Sequence, residues 1–215
     1  MKKYFILLLF ALLGLKGYTQ GISFTVFAEP QVGWFSPNSK NLEAAGSMIG
    51  FNGGLNFDNY FAENYAFSTG VGINNINGKV KYLEPSTMEG LDSTYTIQNG
   101  DVVEYHMQYI NVPIGLKFKT IEIGYTRFFA HLGMDANISI RAKANLPHEA
   151  NIDAANEMHW YNLGYYIGGG VEYSIGGTTA IVAGLTYKNG FLDVTEKENL
   201  KLTTGNLSLR LGILF

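Results

Sequence analysis

The chain has 215 residues, a formal net charge of −3 and no cysteine, so disulfides, thiolate metal sites and a lipid-modified N-terminal cysteine are excluded. The small negative charge supplies no basic field, and no nucleic-acid partner is predicted. With 26 glycines, 14 tyrosines, 14 phenylalanines and only 15% charged residues, the composition is unusual for a soluble domain of this size.

The first segment of the chain has the composition of a cleaved secretory signal. Residues 1–3 carry two lysines, residues 4–15 are uncharged and apolar, and Gly17 and Thr19 are small residues before a cut ahead of Gln20. A transmembrane anchor is disfavoured because a helix needs about 20 apolar residues to span a bilayer and Lys16 interrupts this run. We predict that residues 1–19 are a signal peptide and that residues 20–215 form one exported domain.

Eight segments then alternate between apolar and polar or small residues, as β-strands do when their two faces meet different surroundings. In the fifth segment, Leu132 and Met134 lie on one face and His131 and Asp135 on the other. In the fourth, Pro113 cannot donate a hydrogen bond and the alternation drifts before it, which predicts a bulge near Gln108. The predicted strands cover residues 23–34, 49–58, 67–74, 110–119, 128–141, 162–173, 179–189 and 206–215.

The last strand and the connections indicate a barrel in the bacterial outer membrane. Residues 206–215 alternate strictly, with Arg210 on the polar face, and end on Phe215, which is typical of outer-membrane barrels. Long loops at residues 35–47, 75–105, 142–161 and 190–202 alternate with short turns at 59–66, 120–125 and 174–178, as expected if both termini are periplasmic. We predict an all-β fold, an eight-stranded antiparallel up-and-down transmembrane β-barrel covering residues 20–215.

Aromatic residues near the strand ends fit the girdles that membrane barrels place at both lipid–water boundaries. Ordinary β-sheet composition is the alternative explanation. The predicted girdle residues are Trp34, Tyr60, Tyr65, Tyr105, Tyr109, Trp160, Tyr161, Tyr173 and Tyr187.

Four stretches resemble a known family. Residues 109–117 (Tyr-Ile-Asn-Val-Pro-Ile-Gly-Leu-Lys), 129–133, 164–173 and the leucine-rich last strand are similar to the PorT-like outer-membrane β-barrel family of the Bacteroidota. The resemblance implies an eight-stranded barrel without a recognised catalytic set. The namesake of that family is implicated in protein export by the type IX secretion route, so the resemblance implies an accessory role in secretion as one alternative.

Charged residues on the inward face are predicted to form a salt-bridged plug, because an eight-stranded barrel holds little more than its own side chains and buried charges need partners. A narrow path for ions or small solutes is the alternative. The predicted lumen residues are Glu29, Asp58, Lys117, His131, Asp135, Arg141, Glu172, Lys188 and Arg210.

The sequence predicts no catalytic, metal or cofactor site. His131 and Asp135 share a face, but four residues along a strand span about 13 Å, too far for a hydrogen bond. No Gly-x-Ser-x-Gly occurs, and His106, His148 and His159 have no companion motif. The acidic segment 148–157 lacks the spacing of a calcium loop.

The predicted function is therefore a structural or interaction role through extracellular loops, with outer-membrane lipid and other envelope or secretion proteins as partners. A small-solute pore is one alternative. Another is a secreted lipocalin-like barrel that binds a small apolar ligand, which would place apolar residues inside and charges outside. The direction in which the apolar face points decides between these two architectures.

Overall fold

A computed structural model describes residues 21–90, 93–197 and 200–215. The predicted signal peptide, residues 1–19, lies outside the described residues. Within the described ranges, no helix has both the length and the apolar character that crossing a bilayer requires.

Eight long antiparallel strands form a closed ring, and the predicted fold class is confirmed. Val26 of the first strand pairs with Ile213 of the last, which closes the ring. The eight strands are β1 (Gly21–Pro37), β2 (Leu42–Ala62), β3 (Tyr65–Tyr82), β6 (Val102–Lys119), β7 (Thr126–Asn145), β9 (Tyr161–Gly176), β10 (Thr179–Gly190) and β11 (Leu202–Leu214).

Four short elements lie between these strands at the extracellular end. A hairpin of β4 (Ser86–Glu89) and β5 (Thr94–Ile97) connects β3 to β6. The connection from β7 to β9 contains β8 (Ile152–Asp153) and a 3-10 helix (Ala155–Glu157). Much of the chain predicted to be loop is therefore regular structure.

The outward and inward faces are those of a membrane barrel. On β7, Leu132 and Met134 are exposed, whereas His131 and Asp135 are buried. The last strand exposes Leu207, Leu209 and the rest of its apolar face in the same way. Since a lipocalin needs the opposite arrangement, the lipocalin alternative is wrong for this band of the barrel.

The strands continue above this apolar band, contrary to the predicted loop boundaries. β2 begins at Leu42, β3 runs to Tyr82 and β7 runs to Asn145, so residues predicted as long loops extend the barrel wall. The inward side chains of this extension are apolar, including the fully buried Val80 and Val103. Burial of these apolar side chains stabilises the part of the sheet that extends above the apolar band.

A bulge lies where β6 and β7 leave the apolar band. Gln108 pairs with Arg141 and Tyr109 pairs with Ser139, so the extra residue is Ile140 on β7. The predicted position near Gln108 is confirmed, but β6 itself keeps its phase, with Met107 and Tyr109 both buried. What changes along β6 is the polarity of its inward residues.

The girdle prediction is correct for six of its residues and wrong for three. Tyr60, Tyr105 and Tyr109 are buried inside the barrel because they lie on the inward face of their strands. The six on the outer surface are Trp34, Tyr65, Trp160, Tyr161, Tyr173 and Tyr187.

Candidate functional site: closed lumen and extracellular cap

The lumen, meaning the barrel interior at the level of the apolar band, contains three groups of paired charges. At the periplasmic end, Lys117 Nζ lies 2.7 Å from Asp58 Oδ2 and 2.7 Å from Glu172 Oε1. Ser68 Oγ donates a 2.6 Å hydrogen bond to the other oxygen of Asp58. Strands β2, β3, β6 and β9 together supply this group, so one lysine joins strands from opposite parts of the ring.

The middle group is centred on Arg210. Its Nη1 lies 2.9 Å from Glu29 Oε1, and Asn52 Nδ2 donates a 2.6 Å hydrogen bond to Glu29 Oε2. The guanidinium also lies 4.5 Å from the centroid of the Phe27 ring. Glu29 is completely buried, and both of its carboxylate oxygens have a partner.

The third group lies nearest the extracellular side. Lys188 Nζ is 3.1 Å from Asp135 Oδ2. His131 lies nearer the periplasmic end of β7 than Asp135 does, beside Lys117 of β6. Its Nε2 and Thr186 Oγ1 form a 3.1 Å hydrogen bond, so His131 and Asp135 have separate partners. His131 and Asp135 therefore make no hydrogen bond to each other.

Eight of the nine predicted lumen residues are buried inside the barrel, and Arg141 is not. The prediction that Arg141 faces the lumen is wrong. The bulge at Ile140 shifts the alternation by one residue, so Arg141 lies on the outer surface and Ala142 lies inside.

The lumen is packed rather than open. The cavities among its polar side chains measure about 10 Å³ each, close to the space that one water molecule requires. At the periplasmic end Phe129, Val182 and Leu214 form a small apolar cluster. At the extracellular end Met107 and Tyr109 belong to a larger one. The described side chains therefore fill most of the lumen.

We call the barrel interior above the lumen, with the elements that cover it, the cap. Its apolar core was not predicted from the sequence, although Val103, Tyr105, Met107 and Tyr109 alternate with polar residues and could have indicated a strand. The core comprises Phe35, Leu42, Ile76, Val80, Tyr82, Met88, Ile97, Val103, Tyr105, Met107, Tyr109, Ala142, Ala144, Ile152, Ala154, Met158, Val194, Leu200 and Leu202.

Met88 and Ile97 anchor the β4–β5 hairpin in this core, and each is 1% exposed. Beneath the hairpin, the hydroxyls of Tyr82 and Tyr105 form a 2.7 Å hydrogen bond. Burial raises the pKa of Tyr82 to about 12. The pair therefore stays neutral and hydrogen-bonded at physiological pH.

Glu157 links three segments of the cap. Its Oε1 accepts a 2.7 Å hydrogen bond from the backbone N–H of Glu89, and its Oε2 lies 2.8 Å from Lys197 Nζ. Lys197 also donates to the backbone carbonyl of Thr87. The 3-10 helix, the hairpin and the segment before β11 are thereby joined, so the cap is a folded unit.

Among the described residues, no group of three or more His, Asp or Glu side chains is placed to hold a metal ion. The carboxylates of the lumen are instead engaged by Lys117, Lys188 and Arg210.

A comparison with protein families matches residues 16–196 to the family described as "Outer membrane protein beta-barrel domain", which covers more than half of the chain. The chain belongs to this family. An outer-membrane β-barrel of this family accounts for both the apolar outer band and the closed ring of strands.

Solved structures of outer-membrane barrels resemble this barrel in fold. Neisserial surface protein A is 16% identical, with a TM-score of 0.50 over 91% of this chain and 98% of that chain. Ail of Yersinia pestis, in complex with a heparin analogue, is 13% identical, with a TM-score of 0.44 over 91% and 100%. OprG of Pseudomonas aeruginosa is 11% identical, with a TM-score of 0.46 over 91% and 95%.

No curated protein matches the sequence significantly. The family and the fold place this barrel in the bacterial outer membrane, where its exposed apolar band contacts lipid. The predicted location is confirmed.

Proposed function

We propose that this outer-membrane barrel is a non-conducting, non-catalytic anchor that presents its folded cap to other proteins of the cell envelope. The observation that supports this most strongly is the closed lumen, in which Lys117, Lys188 and Arg210 are each paired with buried carboxylates. A pore would have to separate these pairs, and breaking a buried ion pair costs about 3–5 kcal/mol.

The cap supplies what an interaction protein needs, a rigid surface outside the membrane. Its core holds the hairpin in position, and Glu157 fixes the neighbouring segments. An open groove of about 560 Å³ runs along its surface, lined by Asn41, Pro85, Thr87 and Lys197 among others. A preformed surface lowers the entropic cost of binding, because few side chains need ordering.

Conductance and crosslinking together test the proposal. In planar bilayers the purified barrel should show no stable openings, whereas reproducible openings would support a small-solute pore. In cells, a photo-crosslinking residue at Thr96 on the groove should capture a defined envelope protein, and the same residue at Ile181 in the lipid band should not. Equal capture at both positions, or at neither, would contradict the interaction role.

An accessory role in protein secretion is the second candidate. It is supported by the resemblance of residues 109–117 to the PorT-like family of the Bacteroidota. In the structure, this stretch joins the cap core at Tyr109 to the lumen at Lys117. If the candidate is correct, deleting the gene should change the set of exported proteins, and an unchanged set would remove it.

We also propose that residues 1–19 are removed during export. N-terminal sequencing of the protein from the outer membrane should then begin at Gln20. A mature protein that begins at Met1 would contradict this.

A further inference from the structure

The outer surface of β3, β6 and β7 changes abruptly at the top of the apolar band. Ile73, Ile110 and Ile138 are paired neighbours in one row across the three strands. In the next outward row, Asn75 pairs with Gln108 and Gln108 pairs with Arg141. A polar row therefore lies directly above an apolar row, at the height where lipid headgroups meet the protein.

A groove of about 580 Å³ lies at this step on the outside of the barrel. The pairing of β2 with β3 is irregular between Ser47 and Phe51, and Asn77 Nδ2 bridges the irregularity with a 2.8 Å hydrogen bond to the carbonyl of Ile49. Ile49, which is 81% exposed, and Phe51 form an apolar edge of the groove. The opposite edge is polar and includes Arg141, Lys143 and Asn151.

The lining of this groove carries two positive side chains, Arg141 and Lys143. Asp153, the cross-strand neighbour of Lys143, is not among the lining residues, and its carboxylate accepts a hydrogen bond from the backbone N–H of Ala155. Among the described residues, neither Arg141 nor Lys143 forms an ion pair, and none of the described residues lining the groove is Asp or Glu. Lys143 Nζ makes a long contact of 3.4 Å with Asn151 Oδ1. By contrast, Lys79 on the same outer surface has a carboxylate partner, Glu104, at 2.6 Å.

The outer surfaces of β1, β9 and β10 have aromatic residues near their extracellular ends, and β9 is the direct neighbour of β7. Trp34 lies 6.2 Å from Tyr187, Tyr187 lies 6.3 Å from Tyr165, and Tyr165 lies 5.2 Å from Phe191, between ring centroids. Tryptophan and tyrosine are enriched at both membrane–water interfaces and carry no formal charge there. At the groove, Arg141 and Lys143 instead place two positive charges at this boundary.

We propose that the groove binds the phosphorylated headgroup of one outer-leaflet lipid, with Arg141 and Lys143 on the phosphate and Ile49 and Phe51 against the acyl chains. Arginine and lysine are the residues that proteins use most for phosphate, and charge-assisted hydrogen bonds are about twice as strong as neutral ones. The adjoining apolar edge favours a lipid over a free anion, since a free anion gains nothing from Ile49.

Native mass spectrometry of the detergent-purified barrel with diphosphoryl lipid A as the probe tests this. The wild-type protein should retain one lipid, and Arg141→Gln/Lys143→Gln should weaken retention about tenfold or more, the loss expected for two charge-assisted contacts. The matched control is Lys40→Gln/Lys201→Gln, which removes two exposed lysines elsewhere and should leave retention unchanged.

Two further measurements distinguish a lipid headgroup from free phosphate as the ligand of the groove. Ile49→Ser should weaken lipid retention, and inorganic phosphate should not displace the lipid. Equal retention by the wild type and the Arg141/Lys143 variant would overturn the proposal, as would equal loss in the control or displacement by inorganic phosphate. A heat-dependent shift in gel mobility checks the folding of each variant, and the charge-retaining Arg141→Lys/Lys143→Arg should still bind.

Discussion

The lumen and the cap core are enclosed by the same strands yet have opposite interiors. On β6, Asn111 and Lys117 are buried in a polar lumen, whereas Met107 and Tyr109 are buried in an apolar core. The outer surface changes in the opposite sense, from Ile114 in the lipid band to Glu104 above it. The medium outside the barrel therefore decides what its interior contains.

The two interiors differ because the outer face of the wall contacts lipid in the band and water above it. In the band, apolar side chains face lipid, so the interior receives the polar residues and must satisfy their hydrogen bonds internally. Above the band, water surrounds the wall, and the hydrophobic effect drives apolar side chains inward as in a soluble barrel. The change on β6 takes place between Asn111 and Tyr109, next to the bulge at Ile140.

Removing the lumen lysine should have the largest effect. Lys117→Met leaves Asp58 and Glu172 buried without their shared cation, which should lower the free energy of unfolding by about 3–5 kcal/mol. Urea unfolding in lipid vesicles measures this change. Combining Lys117→Met with Asp58→Asn and Glu172→Gln should recover most of the lost stability. If Lys117→Met alone leaves the free energy of unfolding unchanged, the contacts of Lys117 with Asp58 and Glu172 do not stabilise the barrel.

A cavity in the cap core should lower stability by nearly as much, but the destabilisation should be confined to the cap. Met107→Ala removes a side chain that is 1% exposed, and such truncations cost about 2–5 kcal/mol. The hairpin at residues 86–97 should become sensitive to protease, while the heat-dependent gel shift of the barrel is retained. Loss of the gel shift would mean that cap and lumen do not fold as separable regions.

The contacts of Glu157 should contribute less to stability than Lys117 or Met107 does. Glu157→Gln removes the ion pair with Lys197, whose side chain is 34% exposed, but keeps an acceptor for the Glu89 N–H. We expect a loss of about 1 kcal/mol, after allowing for screening by solvent. Hydrogen exchange of the Glu89 amide measures it, with Glu157→Ala as the stronger variant. Identical exchange in all three proteins would exclude the link.

The exposed pair on the outer wall should matter least. Lys79 and Glu104 lie 2.6 Å apart, shorter than the lumen pairs, but their side chains are 36% and 32% exposed. Lys79→Gln should lower the free energy of unfolding by less than about 1 kcal/mol. An effect as large as that of Lys117→Met would contradict the view that burial, rather than distance, sets the strength of these pairs.

Sequence reasoning predicted the lumen better than the cap, for a physical reason. In the band, residues such as Leu132 and His131 alternate between lipid and a polar interior, and period-two alternation shows this directly. In the cap, Tyr105 and Met107 also alternate with polar neighbours, but here the apolar residues face inward. Along the sequence this exchange of faces resembles a drift in phase.

Arg141 shows the second limit of sequence reasoning. Its inward assignment followed from counting residues along β7, and one bulged residue, Ile140, reverses the face of everything after it. The drift that predicted the bulge was visible on β6, whereas the inserted residue belongs to the neighbouring strand. Pairing between strands decides where such an insertion falls, and the alternation within one strand does not reveal that pairing.

Cysteine accessibility along β6 tests the central claim most directly, because the natural chain contains no cysteine. Single cysteines at Glu104 and His106 should react with a water-soluble maleimide, and one at Ile114 should react only with a lipid-soluble reagent. Cysteines at Met107 and Asn111 should react with neither. A reactive Asn111→Cys with an unreactive Met107→Cys would show an open lumen and contradict the account, and reaction at both would mean that the cap does not cover the barrel.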